Sequence, residues 1–89
     1  MVTFVFTKPA EKDFAKLSKD VRARMIAKLK EFKNHDDILF VLKRLIDFEP
    51  ATHRLRIGNF RLILKLNSQE GKNFVFWILN IGHRKDIYK

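Results

Sequence analysis

The sequence contains no cysteine, which excludes disulfides and any thiolate-based metal site. Two prolines and three glycines leave no linker, internal repeat or low-complexity segment. Its longest apolar run, FVFWILNI at 74–81, is broken by Asn80 and falls far short of the roughly 20 residues that span a bilayer. The opening MVTFVFTKPAEKD has neither a basic leader region nor a long apolar one, so no signal peptide is expected and the expected compartment is the cytoplasm. There is no cluster of carboxylates for Mg²⁺, no HExxH and no Cys/His spacing, so no metal and no cofactor is expected. A glycine-rich phosphate loop and a nucleophile elbow are absent as well. Acidic residues are scarce, with 10 Asp and Glu against 19 Lys and Arg.

What is present is a chain of 89 residues, 46% hydrophobic with nine Phe, enough to bury one core as a single domain over 1–89. The net charge of +9 favours a polyanionic partner through phosphate contacts and counterion release. The charge is unevenly spread. Residues 1–52 hold eleven Lys and Arg against eight Asp and Glu, whereas residues 53–89 hold eight against two. The excess therefore lies where the sequence reads as strands, and nucleic acid is the expected partner class.

VTFVF at 2–6 is β-branched and aromatic and reads as a strand. Thr7 followed by Pro9 marks a helix start, and Ala10, Phe14 and Leu17 recur at helical spacing. Ser18 caps a second helix whose stripe is Val21, Met25, Leu29 and Phe32, with Lys19, Arg22, Lys30 and Lys33 on its other face. The two form a helical hairpin. Within 34–52, Asn34 or Asp36 caps a short third helix reaching about Lys43, an extended stretch covers Leu45–Phe48, and Glu49-Pro50 turns the chain.

From His53 the period becomes two. In HRLRI, Leu55 and Ile57 share one face while Arg54 and Arg56 share the other. Gly58-Asn59 suits a two-residue hairpin. FRLILKL then alternates Phe60, Leu62, Leu64 and Leu66 against Arg61, Ile63 and Lys65. NSQEGKN at 67–73 reads as a polar connection, and FVFWILNI as a central strand buried on both sides, ended by Gly82. The expected fold is α+β: an N-terminal strand, a helical hairpin with a short third helix, and an antiparallel β-meander packed on the helices. The helices take the leucine face, so the other face displays Arg54, Arg56, Arg61 and Lys65. Exposed strands often carry such residues only for solubility. Three arginines of four favour phosphate recognition, because the guanidinium fork grips phosphate oxygens in pairs.

The ending NIGHRKDIYK adds His83, Arg84, Lys85 and Tyr88. Beside an arginine face these are the parts of a metal-free ribonuclease: a base for the 2′-hydroxyl, cations for the transition-state charge and a donor for the leaving oxygen. HRLRIGNFRLILKL followed by FWILNIGHRKDIYK closely resembles the RelE/ParE toxin superfamily and, within it, the RelE-like mRNA interferases. The resemblance covers essentially the whole chain. It rests on an R-x-R-x-G-x-(F/Y)-R run at 54–61 and a G-H-R-K-D-x-Y ending at 82–88.

That resemblance implies a toxin of a type II toxin–antitoxin system. Such a toxin enters the ribosomal A site, contacts rRNA and cuts mRNA by 2′-hydroxyl attack, leaving a 2′,3′-cyclic phosphate and a 5′-hydroxyl. A cognate antitoxin blocks it. By position, Arg54 and Arg56 match basic residues of the first meander strand, Arg61 the arginine on the scissile phosphate, Arg84 the arginine at the leaving group, and Tyr88 the terminal catalytic tyrosine. Lys65 and Lys85 add phosphate contacts. Well-studied members have Lys where this sequence has Arg54 and Arg56. An arginine cannot act as a base at neutral pH, so the base is expected to be Tyr88, its pKa lowered by nearby cations, or His83; Glu49 is a weaker candidate. Some relatives continue into a C-terminal helix that the antitoxin displaces. This sequence stops one residue after Tyr88, so inhibition is expected to come from covering or neutralising the basic face. The rival readings are a ParE-like gyrase inhibitor without nuclease chemistry and an inactive RNA-binding or antitoxin-binding relative.

Overall fold

A computed structural model describes residues 1–87. The elements in chain order are β1 (Val2–Phe6), α1 (Lys8–Ala15), α2 (Lys19–Lys33), α3 (Ile38–Val41), β2 (Lys43–Arg44), β3 (His53–Ile57), β4 (Phe60–Glu70), β5 (Asn73–His83) and α4 (Arg84–Ile87). The five strands form one sheet in the order β1-β5-β4-β3-β2. β1 joins β5 in parallel, and the remaining pairs are antiparallel.

Both expected helix starts are present. Thr7 accepts from the Ala10 N–H with Pro9 in the first turn, and Ser18 accepts from the Val21 N–H, so each cap satisfies one donor that a helix start leaves over. α1 and α2 cover a single sheet face. Ala10, Met25 and Leu29 pack there with Val2, Leu55, Leu62, Leu64, Phe76 and Ile78, and Phe14, Val21 and Phe32 border them. The leucine face is thus the buried one, as the alternation predicts.

α1 has a second task. β1 pairs with β5 only as far as Ile78, and beyond it the edge of β5 still presents backbone groups that need partners. The Thr7 N–H donates to Ile78 O at 3.1 Å, its hydroxyl donates to the same oxygen at 2.7 Å, and Asp13 Oδ2 accepts from the Ile81 N–H at 2.9 Å. The start of α1 therefore replaces a missing strand and fixes the half of β5 that leads to Gly82. Asp13→Ala is expected to cost about 1–3 kcal/mol by leaving that N–H unmet, with Asp13→Asn retaining most of the stability. Urea unfolding of the two variants checks this.

Several details differ from the sequence reading. The third helix is four residues long and follows Asp37, which makes no side-chain cap. The extended stretch after it is Lys43–Arg44, not Leu45–Phe48; the chain turns at Asp47, which has φ 63°. NSQEGKN is mostly strand: β4 runs to Glu70, and β5 starts at Asn73 directly opposite it. Cross-strand hydrogen bonding holds polar residues in a ladder as well as apolar ones, and only Gly71-Lys72 are left for the turn. Gly71 leads that turn with φ 58°, as Gly58 leads the β3–β4 turn with φ 59°, the positive value that a glycine-first two-residue hairpin requires. Gly82 does not end β5, which continues through His83. β5 is an inner strand with the helices on one face, and on its other face Trp77 remains 37% exposed.

Candidate functional site

The strand register decides which side chains meet. Arg56 lies opposite Arg61 across β3 and β4, and Arg61 lies opposite Gly82 across β4 and β5. Cross-strand partners project to the same face, and Gly82 itself adds no side chain beside Arg61. Arg54 is on the same face opposite Ile63. The two-residue turn at Gly58-Asn59 brings the fourth arginine in: the Arg84 N–H donates to Asn59 O at 2.8 Å, which fixes the start of α4 at the hairpin that separates Arg56 from Arg61.

Arg61 is not displayed, as the alternation alone suggested, but only 5% exposed. Its Nη1 donates to Phe60 O at 3.3 Å, and its Nε is buried with no hydrogen-bond partner. Burial lowers its pKa below the usual arginine value, and Arg56, Arg54 and Arg84 lower it further. Among the described side chains the ion pair is Lys28–Glu31 on α2, so no carboxylate there neutralises Arg61. Arg56 is exposed, with its Nε directed to Gly58 O at 3.4 Å, and Arg54 is half-buried. Four arginines are thus gathered at one end of the sheet face, with Arg61 buried among the charges of the other three.

The other expected residues fall into three groups. Lys65 is on the same face but four residues along β4, its ammonium 5.5 Å from the centre of the Trp77 ring. Lys85 is exposed on α4. His83 is not with the arginines: it lies opposite Phe60, whose side chain borders the core, and its ring meets that of Phe60 edge-on at 5.5 Å. Strand alternation puts it on the helix side because its neighbour Gly82 is on the arginine side. Its Nδ1 accepts from the Lys85 N–H at 3.2 Å, so the neutral ring carries its proton on Nε2 and offers a donor rather than a base. Glu49 lines a different cleft, with His53 and Leu66. Tyr88 lies outside the described residues. Among those described, no group of three or more His, Asp or Glu is placed to hold a metal ion, and no helix is long and apolar enough to cross a membrane.

Sequence reasoning passed over two further features. One is the cleft of about 490 Å³ next to the arginines, floored by Ile63 and Leu79 and walled by Leu45, Phe48 and Pro50, with Thr7, Arg54 and Asn80 as its polar members. The 45–50 loop that builds it has no periodic signal. The other is His53, which is buried at 9% exposure. Thr52 Oγ1 accepts from the Leu66 N–H at 2.7 Å and lies within hydrogen-bond distance of His53 Nδ1, at 2.8 Å. Burial, and then Arg44 on the neighbouring strand, lower the His53 pKa below 6.5. The unfolded chain then takes up this proton at a higher pH than the folded one. The contribution is complete above the unfolded value and is lost as pH falls from 6.5 through the folded value. Urea midpoints should decline over that range, and His53→Gln should flatten the decline.

Comparison with known proteins agrees with this architecture. The family model for the ParE toxin of the type II toxin–antitoxin system parDE matches residues 4–88. The toxin–antitoxin complex RelBE2 of Mycobacterium tuberculosis contains a chain 29% identical, with TM-score 0.61, over 92% of this chain and 96% of that one. The RelB–RelE complex of Methanococcus jannaschii contains one 25% identical, with TM-score 0.60, over 94% of each chain. The RelE–RelB complex of Pyrococcus horikoshii, at 20% identity and TM-score 0.67 over 96% of this chain and 97% of that one, shares the fold. No curated protein sequence matches the chain significantly.

Proposed function

The chain belongs to the RelE/ParE family of type II toxin–antitoxin toxins, and we propose that it is a RelE-like mRNA interferase, a metal-free endoribonuclease acting in the ribosomal A site. The observation that carries this reading is Arg61: a buried guanidinium with an unpartnered Nε, enclosed by three more arginines that lower its pKa. Holding that much positive charge together is unfavourable for the free protein, and a phosphate with developing charge relieves it.

In the proposed reaction the 2′-oxygen attacks the adjacent phosphorus and the bond to the 5′-oxygen breaks, giving a 2′,3′-cyclic phosphate and a 5′-hydroxyl. Arg61 holds the non-bridging oxygens. Arg84 stands at the leaving oxygen and stabilises its charge by hydrogen bonding, and a proton from water completes the 5′-hydroxyl. Tyr88 is assigned the removal of the 2′-proton, the role that the family resemblance gives the terminal tyrosine. Arg54 and Arg56 act as clamps on flanking phosphates, and Lys65 and Lys85 extend those contacts to mRNA or rRNA. His83 keeps no catalytic role in this scheme, because its acceptor nitrogen is engaged and its ring faces Phe60. The site of action is the cytoplasm, where a cognate antitoxin inhibits the toxin by covering the basic face. The solved RelB complexes of similar chains support that partner.

The test is to add purified protein to programmed ribosomes and map the mRNA ends. Cuts at fixed codon positions support the reading. One observation favours a second reading: the matching family model is that of a ParE toxin, and the sequence resemblance to ParE-like toxins implies gyrase inhibition. Intact mRNA together with trapped gyrase–DNA complexes would establish that alternative.

A further inference from the structure

The sheet face that holds the arginines also holds the chain's sole tryptophan. Trp77 is 37% exposed on β5, opposite Lys65 on β4 and beside Val5 on β1. The Lys65 ammonium sits 5.5 Å from the centre of the indole ring. Lys65 is four residues beyond Arg61, on the order of 13 Å along the strand at about 3.3 Å per residue. From Arg61 to Lys65 on β4, from Trp77 to Gly82 on β5, and at Arg54 and Arg56 on β3, there is no carboxylate.

An indole beside a lysine, in line with a cationic anion site, is the combination that single-stranded nucleic acid engages: bases stack on the aromatic ring and cations follow the backbone. A packing role is a poor account of Trp77, because among the described residues no helix covers this face and the ring stays accessible. A protein partner with an apolar side chain would also fit an indole. Lys65 against the ring, in line with Arg61 farther along β4, favours a polyanion instead.

We propose that Trp77 is a base-stacking platform, which receives a nucleobase of the same single-stranded RNA whose phosphate occupies Arg61. On binding, the base takes the ring face now under Lys65, and the displaced ammonium moves to an adjoining phosphate. The proposal rests on the nuclease reading for the identity of the strand and adds to it a second point of attachment.

Because the protein has one tryptophan, its emission reports on this site alone. The full-length protein is titrated at low salt with hexa-adenylate RNA, and in parallel with inorganic polyphosphate and polyglutamate of similar charge. RNA is expected to quench Trp77 emission about twofold or more, as stacking on the indole does, with little change from the polyanions that carry no bases. Binding of end-labelled RNA, followed by anisotropy, should weaken about tenfold in Trp77→Leu and much less in Trp77→Phe, while polyphosphate binding stays at the wild-type level. RNA that binds without changing Trp77 emission and without discriminating Trp77→Leu overturns the platform, as does an absence of RNA binding. Equal quenching by polyphosphate assigns the signal to Lys65 displacement, and equal quenching by polyglutamate assigns the indole to a protein partner; each overturns it too. Mapping mRNA ends on ribosomes with wild-type protein judges the nuclease reading separately, so the two can fail independently.

Discussion

Replacing Arg61 with Met is expected to abolish cleavage of A-site mRNA while making the isolated protein more stable. The loss follows from the place proposed for it under the scissile phosphate, where removing one preorganised donor lowers turnover by roughly 100-fold to 1,000-fold. The gain follows from burial. Arg61 is 5% exposed, makes one long bond to Phe60 O, leaves Nε unmet and faces three other arginines. A methionine takes the place of the buried side chain without desolvating a charge, which is worth on the order of 1 kcal/mol or more. For a domain of this size that is a rise of about 4–8 °C in Tm. Arg61→Lys should keep the charge but lose the fork, leaving cleavage strongly impaired with little stabilisation. Phosphate should raise the Tm of the wild type more than that of Arg61→Met, because a ligand that binds only the folded site stabilises it. A destabilised Arg61→Met protein would show that the guanidinium is a structural anchor, and the anion-site reading would fall.

The second large effect separates the two candidate bases. Tyr88→Phe is expected to slow cleavage by about 100-fold to 10,000-fold, the usual contribution of a positioned acid or base, while His83→Ala stays near wild type. The difference comes from β5. Its alternation sends Gly82 to the arginine side and His83 to the Phe60 side, and the Lys85 N–H takes the imidazole acceptor at 3.2 Å. Cleavage rates on programmed ribosomes, with RNA binding measured on the same proteins, distinguish a lost base from a lost contact. Should His83→Ala be the inactive variant and Tyr88→Phe the active one, the base assignment proposed for this site is reversed.

The sequence determined the parts that depend on local periodicity. The stripe Val21, Met25, Leu29 and Phe32 packs at the core, the caps at Thr7 and Ser18 are in place, and the leucines of β4 face inward, all from spacings of about 3.6 and two residues. The hairpin at Gly58-Asn59 and the shared face of Arg54, Arg56 and Arg61 follow from the same rule. It misread NSQEGKN as a loop because composition describes solvation, whereas a strand persists wherever a partner strand offers its backbone. Gly82 was misread as a terminator for a related reason: it lies in the ladder opposite Arg61, which only the register reveals. Linear adjacency placed His83 with Arg84, and the pleat separated them. Which cation is buried, which base candidate faces away and that the tryptophan stays uncovered were decided by tertiary structure alone. Each depends on what lies across a strand or over a face, and those neighbours are distant in the chain.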